Sequence, residues 1–178
     1  MLLAEDLLLL VTDDASGRLS APAAQVDLAL GGANLLELTL LKKVDLSHEG
    51  DAGKPGRIVL RDPTPTGDAI LDAALETVAG RQGRSPSAVI RPLSRNLRRT
   101  VYERLAESGV VRAGRGTILG IFPTHSWPAQ DARHESEVRL LVTRALVEQR
   151  APDGRTAALI ALLRAHHRRP SAARPVQT

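Results

Sequence analysis

Three arginines at helical spacing lie near the middle of the chain. Arg95 is followed by Arg98 and Arg99 at steps of three and four residues, which on one helix would place all three on a shared face. A guanidinium group is planar and can bind two phosphate oxygens at once, so two of them on adjacent turns can clamp one phosphate group. Asn96 adds a neutral donor. The spacing therefore predicts an anion-binding site at Arg95 and Arg98.

The charge pattern around these residues is strongly asymmetric. Residues 81–115 hold nine arginines against Glu103 and Glu107, whereas residues 1–80 carry a net charge of −7. A solvated helix face usually mixes both signs, so a block of one sign indicates an electrostatic field directed at an anionic partner. A basic surface with no partner is the alternative that the charge pattern leaves open.

Residue types and spacings typical of enzymes are missing. Cysteine is absent, which removes thiolate catalysis and cysteine-bound zinc. Asp68 and Asp72 lie four residues apart, but capping explains Asp68 better than catalysis does, since either Thr66 or Asp68 can cap the predicted helix 67–79. His134 with Glu135 and Glu137 lacks the HExxH spacing of a zinc site. We therefore expect no catalytic residue, no cofactor and no metal.

Composition also limits the class of partner and the compartment. The chain has one Phe, one Trp and one Tyr, too few for the stacking platforms that single-stranded nucleic acids require. Its apolar runs, such as Leu7 to Val11, are far shorter than the roughly 20 residues of a membrane-spanning helix. The absence of cysteine fits a reducing compartment. We expect a cytoplasmic protein.

Hydrophobic periodicity predicts a mainly α-helical bundle that positions the arginines. The predicted helices are 2–12, 21–41, 67–79, 86–93, 95–107, 130–149 and 154–167. Two surface β-hairpins are predicted, the first from 42–48 with 56–62, the second from 110–112 with 117–122 around the tip AGRG. The glycine pair Gly31-Gly32 inside the second helix indicates either a close helix crossing or a kink. Residues 169–178 are predicted to be a disordered tail.

Several ordered motifs resemble those of the Golgi phosphoprotein 3 family, including its bacterial members. They are EDLLLLVTDDASGRLS, ALGGANLLELTLLKKVDL, DPTPTGDAILDAALETV, SRNLRRTVYERLAESGVV and ILGIFPTHSWP. The resemblance covers residues 5–165 almost without gaps, and the chain is expected to be a C-terminally short member. It implies one helical domain, residues 1–168, with amphipathic helices around a buried helix.

The resemblance also implies a ligand. Eukaryotic members bind phosphatidylinositol 4-phosphate at Golgi membranes and hold glycosyltransferase tails there, using a tryptophan, an arginine and the two arginines of an RNxR motif. Arg95 and Arg98 match the motif pair, whereas Pro22 and Gly31 occupy the other two positions. Other arginines are candidates for supporting roles: Arg18, Arg91 and Arg99.

These observations favour a non-enzymatic peripheral membrane protein, at the inner face of the membrane, that binds anionic phospholipid or another phosphate-bearing ligand. Membrane-enzyme tails and self-association are further partners that we consider. The alternative is a winged-helix DNA-binding protein that uses residues 86–122, although Pro92 interrupts the helix before Arg95. Nucleic acid is therefore the less favoured partner. A third hypothesis is that the arginines bind an acidic protein.

Overall fold

The computed structural model describes residues 1–51, 54–118, 122–147 and 152–167. Within them the chain forms seven α-helices and two two-stranded antiparallel sheets, which confirms the predicted mainly α fold with two hairpins. The elements are α1 (Leu3–Leu10), α2 (Ala23–Leu40), β1 (Val44–Leu46), β2 (Ile58–Leu60), α3 (Ala69–Ala79), α4 (Pro86–Leu93), α5 (Leu97–Glu107), β3 (Gly114–Ile118), β4 (Phe122–Ser126), α6 (Arg133–Val147) and α7 (Gly154–His167). The tail predicted at 169–178 lies outside the described residues.

Helix α1 lies at the centre of the molecule. Every residue from Leu3 to Leu9 is buried, and α2, α5, α6 and α7 all contact this helix. Burying one leucine side chain contributes about 1.5–3 kcal/mol, so this short apolar segment supplies much of the core. The buried helix that the family resemblance implied is therefore α1.

A second apolar cluster lies beneath the first hairpin. Leu75 and Val78 of α3 pack with Leu38 of α2 and with Val44 and Ile58 of the strands. The apolar stripe predicted for α3 faces this cluster, and the strands pair as predicted, with Val44 opposite Leu60. Asp68, the predicted cap, accepts hydrogen bonds from the backbone of Ile70 and Leu71 at the start of α3.

Helices α2 and α4 cross closely at Gly31. A Cβ atom at Gly31 would lie 2.5 Å from the carbonyl oxygen of Ile90, a distance at which the two backbones would have to separate. At Gly32 a Cβ atom would lie 3.3 Å from Cδ2 of Leu162, the end of a flexible side chain. Since α2 runs without interruption from Ala23 to Leu40, the glycine pair forms no kink, and Gly31 is the member that serves the helix crossing.

The second hairpin pairs in a different register from the predicted one. β3 includes Gly114, which pairs with Ser126, and Ile118 pairs with Phe122. The predicted strands 110–112 and 117–122 around an AGRG tip are therefore wrong. A Cβ atom at Gly114 would lie 2.5 Å from Oγ of Ser126, so this glycine allows close packing inside the sheet instead of forming a turn. The connection 119–121 lies outside the described residues.

Candidate functional site

The predicted anion site falls at the junction between α4 and α5. Asn96 has φ 57°, in the left-handed region that asparagine tolerates better than most residues, and α5 begins after it. Arg95 therefore precedes the helix instead of belonging to it. The prediction that Arg95 shares one helical face with Arg98 and Arg99 is wrong, because the left-handed residue interrupts the helical path between them.

Arg98 forms an ion pair with a neighbouring helix. Its Nε lies 3.0 Å from Oδ1 of Asp27 in α2, and the two side chains are 33% and 34% exposed. The carboxylate offsets much of the charge that Arg98 would offer to a ligand. Sequence reasoning missed Asp27, although it lies one helical turn before the glycine at which α2 and α4 cross.

Arg95 has a different environment. It is exposed, forms no ion pair in the part of the chain that the structure describes, and lines a cleft of about 140 Å³. The other polar lining residues are Asn34, Thr77 and Thr100, and the rest are apolar residues of α3, α4 and α5. The structure thus gives the two motif arginines different neighbours: Arg98 faces a carboxylate, and Arg95 faces a cleft.

Asn34 at this cleft is a functional candidate that sequence reasoning did not identify. Its side chain is 2% exposed, and no described group hydrogen-bonds to its Oδ1 atom. A buried acceptor without a partner costs about 1–3 kcal/mol. The available signal was an asparagine inside the apolar pattern of a helix, where it is a poor helix former.

The arginines that the sequence offered as candidates for supporting roles lie on separate elements. Arg91 is exposed in the last turn of α4, and Arg18 is exposed in the loop between α1 and α2. Arg99 is 73% exposed, and its Nε lies 3.8 Å from the carboxylate of Glu103 on the same helix. Such an exposed pair contributes little to stability, so Arg99 can still attract an anion.

The chain's single tryptophan is part of the core framework. The rings of Trp127 and Tyr102 stack with centroids 4.9 Å apart, and the hydroxyl of Tyr102 lies 2.7 Å from Oγ1 of Thr12. Pro22, which the resemblance matched to the pocket tryptophan, is exposed at the start of α2. Gly31, which it matched to the pocket arginine, is packed against α4. Neither position supplies a ligand-binding side chain.

Two arginines of the basic regions form ion pairs with carboxylates, three of which are buried: Glu5, Asp6 and Glu37. Nε of Arg104 lies 2.7 Å from Oε1 of Glu5, and its Nη1 lies 2.6 Å from Oδ2 of Asp68. Arg155 lies 2.8 Å from both Asp6 and Glu37. Sequence reasoning noted the opposite charges of the two halves of the chain, but did not predict that they neutralise one another inside the fold.

The carboxylates considered for catalysis have structural roles. Asp72 accepts hydrogen bonds of 2.6 Å from the backbone and the hydroxyl of Thr66, and these bonds hold its pKa below the usual value. Asp68 caps α3, as the sequence indicated. Among the described residues, no three His, Asp or Glu side chains form a group that could hold a metal ion.

Helix α5 has little surface available for reading DNA. Leu97, Val101 and Leu105 are buried, and Arg104 is engaged with carboxylates. The exposed side of the helix carries Glu103 and Glu107 beside Arg99, so its charge is mixed and not uniformly basic. No described helix combines the length and hydrophobicity needed to cross a membrane.

Comparison with known proteins identifies the family of the chain. The family model of Golgi phosphoprotein 3 (GPP34) matches residues 3–177, nearly the entire chain. No curated protein matches the chain. The family match covers the buried helix α1, the helix crossing at Gly31 and the α4–α5 junction. The chain belongs to the Golgi phosphoprotein 3 family.

Proposed function

We propose that this chain is a non-enzymatic peripheral membrane protein whose α4–α5 junction binds anionic phospholipid head groups at the inner face of the membrane. The observation that carries the proposal is Arg95, an exposed arginine without an ion pair among the described residues, at the edge of a cleft. The family resemblance implies head groups of the phosphatidylinositol 4-phosphate type. It also suggests membrane-enzyme tails as partners.

The arginines at the junction would contribute unequally to the attraction between the protein and an anionic membrane. Each arginine near an anionic membrane surface contributes about 1 kcal/mol of attraction. Arg91, Arg95 and Arg99 are exposed, whereas Arg98 is already paired with Asp27. We therefore assign the main phosphate contact to Arg95 and a general attraction to its exposed neighbours.

The same residues argue against strong phosphoinositide selectivity. Pro22 has no aromatic ring to insert between lipids, and Gly31 has no side chain to bind a second phosphate. Selectivity between head groups requires several fixed donors around one group, and Arg95 supplies a single guanidinium. We propose binding to anionic head groups in general, with little preference for phosphatidylinositol 4-phosphate at equal membrane charge.

Vesicle flotation tests the proposal. Vesicles of phosphatidylcholine alone, with phosphatidylglycerol, or with phosphatidylinositol 4-phosphate at matched charge are mixed with the full chain. We expect binding to both anionic membranes and not to the neutral one. Arg95→Glu should weaken binding about tenfold or more, since it reverses the central charge, whereas Arg98→Gln should weaken it less.

Arg112→Glu is the matched control. Arg112 is an exposed arginine outside the junction, so this variant changes net charge equally without altering the proposed contact. It should reduce binding only through the general attraction. If Arg95→Glu binds the anionic vesicles as well as Arg112→Glu does, the assignment of the site to Arg95 is wrong. If the parent chain binds neither anionic membrane, the proposed function is wrong.

A further inference from the structure

The cleft beside Arg95 has a buried polar floor and a charged rim. Asn34, at 2% exposure, lies at the floor, whereas Arg95 and Thr100 are exposed at the rim. Ile70 and Leu97 supply apolar wall. A polar atom without a partner, almost entirely buried and lining an open cleft, is the arrangement expected where a ligand group or a water completes the hydrogen bonding.

The two threonine hydroxyls of the cleft lining can only accept further hydrogen bonds. The hydroxyl of Thr77 donates to the carbonyl of Ala73 at 3.0 Å, and the hydroxyl of Thr100 donates to the carbonyl of Asn96 at 3.2 Å. Because each hydroxyl has one hydrogen, both oxygens remain available only as acceptors. With the amide of Asn34, the lining therefore offers three oxygen acceptors, one of them the buried Oδ1 atom, together with the NH2 donor group of Asn34 and the guanidinium of Arg95.

A ligand that complements this lining carries hydroxyl donors and a negative group. A volume of about 140 Å³ corresponds to roughly four or five water molecules, which limits the polar body to a few carbons. We infer that the cleft binds a three-carbon polyol phosphate of the glycerophosphate class. Its hydroxyls donate to Asn34 and the threonines, its carbon chain lies against the apolar wall, and its phosphate binds Arg95.

The inference rests on the proposed function for one contact only, the phosphate at Arg95. The ligand has two sources with the same chemistry, a soluble glycerophosphate and the glycerol head group of phosphatidylglycerol. Recognition of the hydroxyls by Asn34 is independent of whether the chain binds membranes. Recognition of the hydroxyls by the cleft and binding of the protein to membranes can therefore be tested separately.

Isothermal titration calorimetry of the full chain with glycerol 3-phosphate and with inorganic phosphate provides the test. We expect glycerol 3-phosphate to bind about tenfold tighter, because it also satisfies the acceptors of the cleft. Asn34→Leu, which removes the amide at similar volume, should abolish this preference and leave phosphate binding intact. Arg95→Gln should weaken both ligands about tenfold, whereas the control Arg112→Gln should weaken neither.

Equal affinities of the parent chain for the two ligands, or no binding of either, would overturn the inference and indicate that only water occupies the floor. A preference that survives in Asn34→Leu would also overturn it. If circular dichroism shows that Asn34→Leu does not fold, Thr77→Val replaces it and should lower the preference severalfold; an unchanged preference in that variant counts against the inference.

Vesicles of phosphatidylglycerol and of phosphatidylserine at equal charge separate the two ligand sources. Tighter binding to phosphatidylglycerol supports recognition of the lipid head group. A preference for glycerol 3-phosphate in solution without vesicle binding supports a soluble ligand, and in that case the cleft is retained while the proposed membrane function fails.

Discussion

At the residue scale, the protein depends on buried polar groups with specific partners. Glu5 and Asp6 are buried in α1, and Arg104 and Arg155 pair with them. Removing one member of such a pair is more damaging than replacing both with apolar residues, since the remaining charge stays buried. Asn34 is the exception among the described residues because its oxygen has no partner, and this difference points to the cleft as a binding site.

Glu135 of α6 makes the stability of the protein depend on pH. It is 3% exposed, and burial together with a hydrogen bond to Asp14 raises its pKa to about 7, although Arg139 acts in the opposite direction. The folded protein therefore holds a proton that the unfolded chain, with a pKa of about 4.3, releases. The contribution of Glu135 to the free energy of unfolding is complete below the pKa of the unfolded chain. It is lost as the pH rises through about 7.

We predict that unfolding free energy falls by about 2–3 kcal/mol between about pH 5 and pH 8 in the parent chain relative to Glu135→Gln, which cannot titrate. Thermal melts of both proteins across this range measure the difference. Glu137→Gln, an exposed position on the same helix, serves as the control and should follow the parent profile. Parallel profiles for the parent and Glu135→Gln would show that Glu135 is charged in the folded state.

At the scale of elements, the α2–α4 crossing positions the candidate site. Gly31 allows the two backbones to approach, and the end of α4 leads directly into Ser94 and Arg95. The left-handed Asn96 then redirects the chain into α5. The place of Arg95 at the cleft therefore depends on a packing contact made by a residue without a side chain.

We predict that Gly31→Ala destabilises the protein by about 1–3 kcal/mol, because its Cβ atom would lie 2.5 Å from the carbonyl of Ile90. Gly32→Ala is the matched control: its Cβ atom meets only the end of Leu162, so the gain in helix propensity of about 1 kcal/mol should balance or exceed the cost. Urea unfolding compares the two. Equal stability of both variants would mean that the crossing tolerates a methyl group.

At the scale of the whole molecule, opposite charges join the two ends of the chain. Arg155 in α7 binds the buried carboxylates of Asp6 in α1 and Glu37 in α2, so charges of the acidic N-terminal half and the basic C-terminal half meet at a partly buried contact. Leu159 and Leu162 of α7 complete the packing. The remaining exposed arginines carry the positive field that we assign to ligand attraction.

We predict that Arg155→Met lowers the stability by about 2–3 kcal/mol and frees α7 first, since it leaves Asp6 and Glu37 without their shared cation. Hydrogen exchange should accelerate in residues 154–165 more than in α3. Arg164→Met, at an exposed position of the same helix, should leave exchange unchanged. Equal acceleration in α3 and α7 would show that the molecule opens only as one unit.

The sequence alone predicted the elements that depend on local chemistry. All seven helices, the first hairpin and the Asp68 cap follow from hydrophobic periodicity and capping rules, which act over a few residues. The prediction of the second hairpin was wrong, because its glycines were interpreted as a turn, whereas Gly114 lies inside a strand and allows close packing.

Only the tertiary structure decided which arginines are available to a ligand. Helical spacing made Arg95 and Arg98 equivalent, whereas in the fold Asp27 pairs with Arg98 and a cleft opens beside Arg95. The choice of Gly31 as a crossing point and the burial of Asn34 likewise depend on contacts between distant segments. Charge and residue type are properties of the sequence, but neutralisation and burial are properties of neighbours, and only folding determines which residues become neighbours.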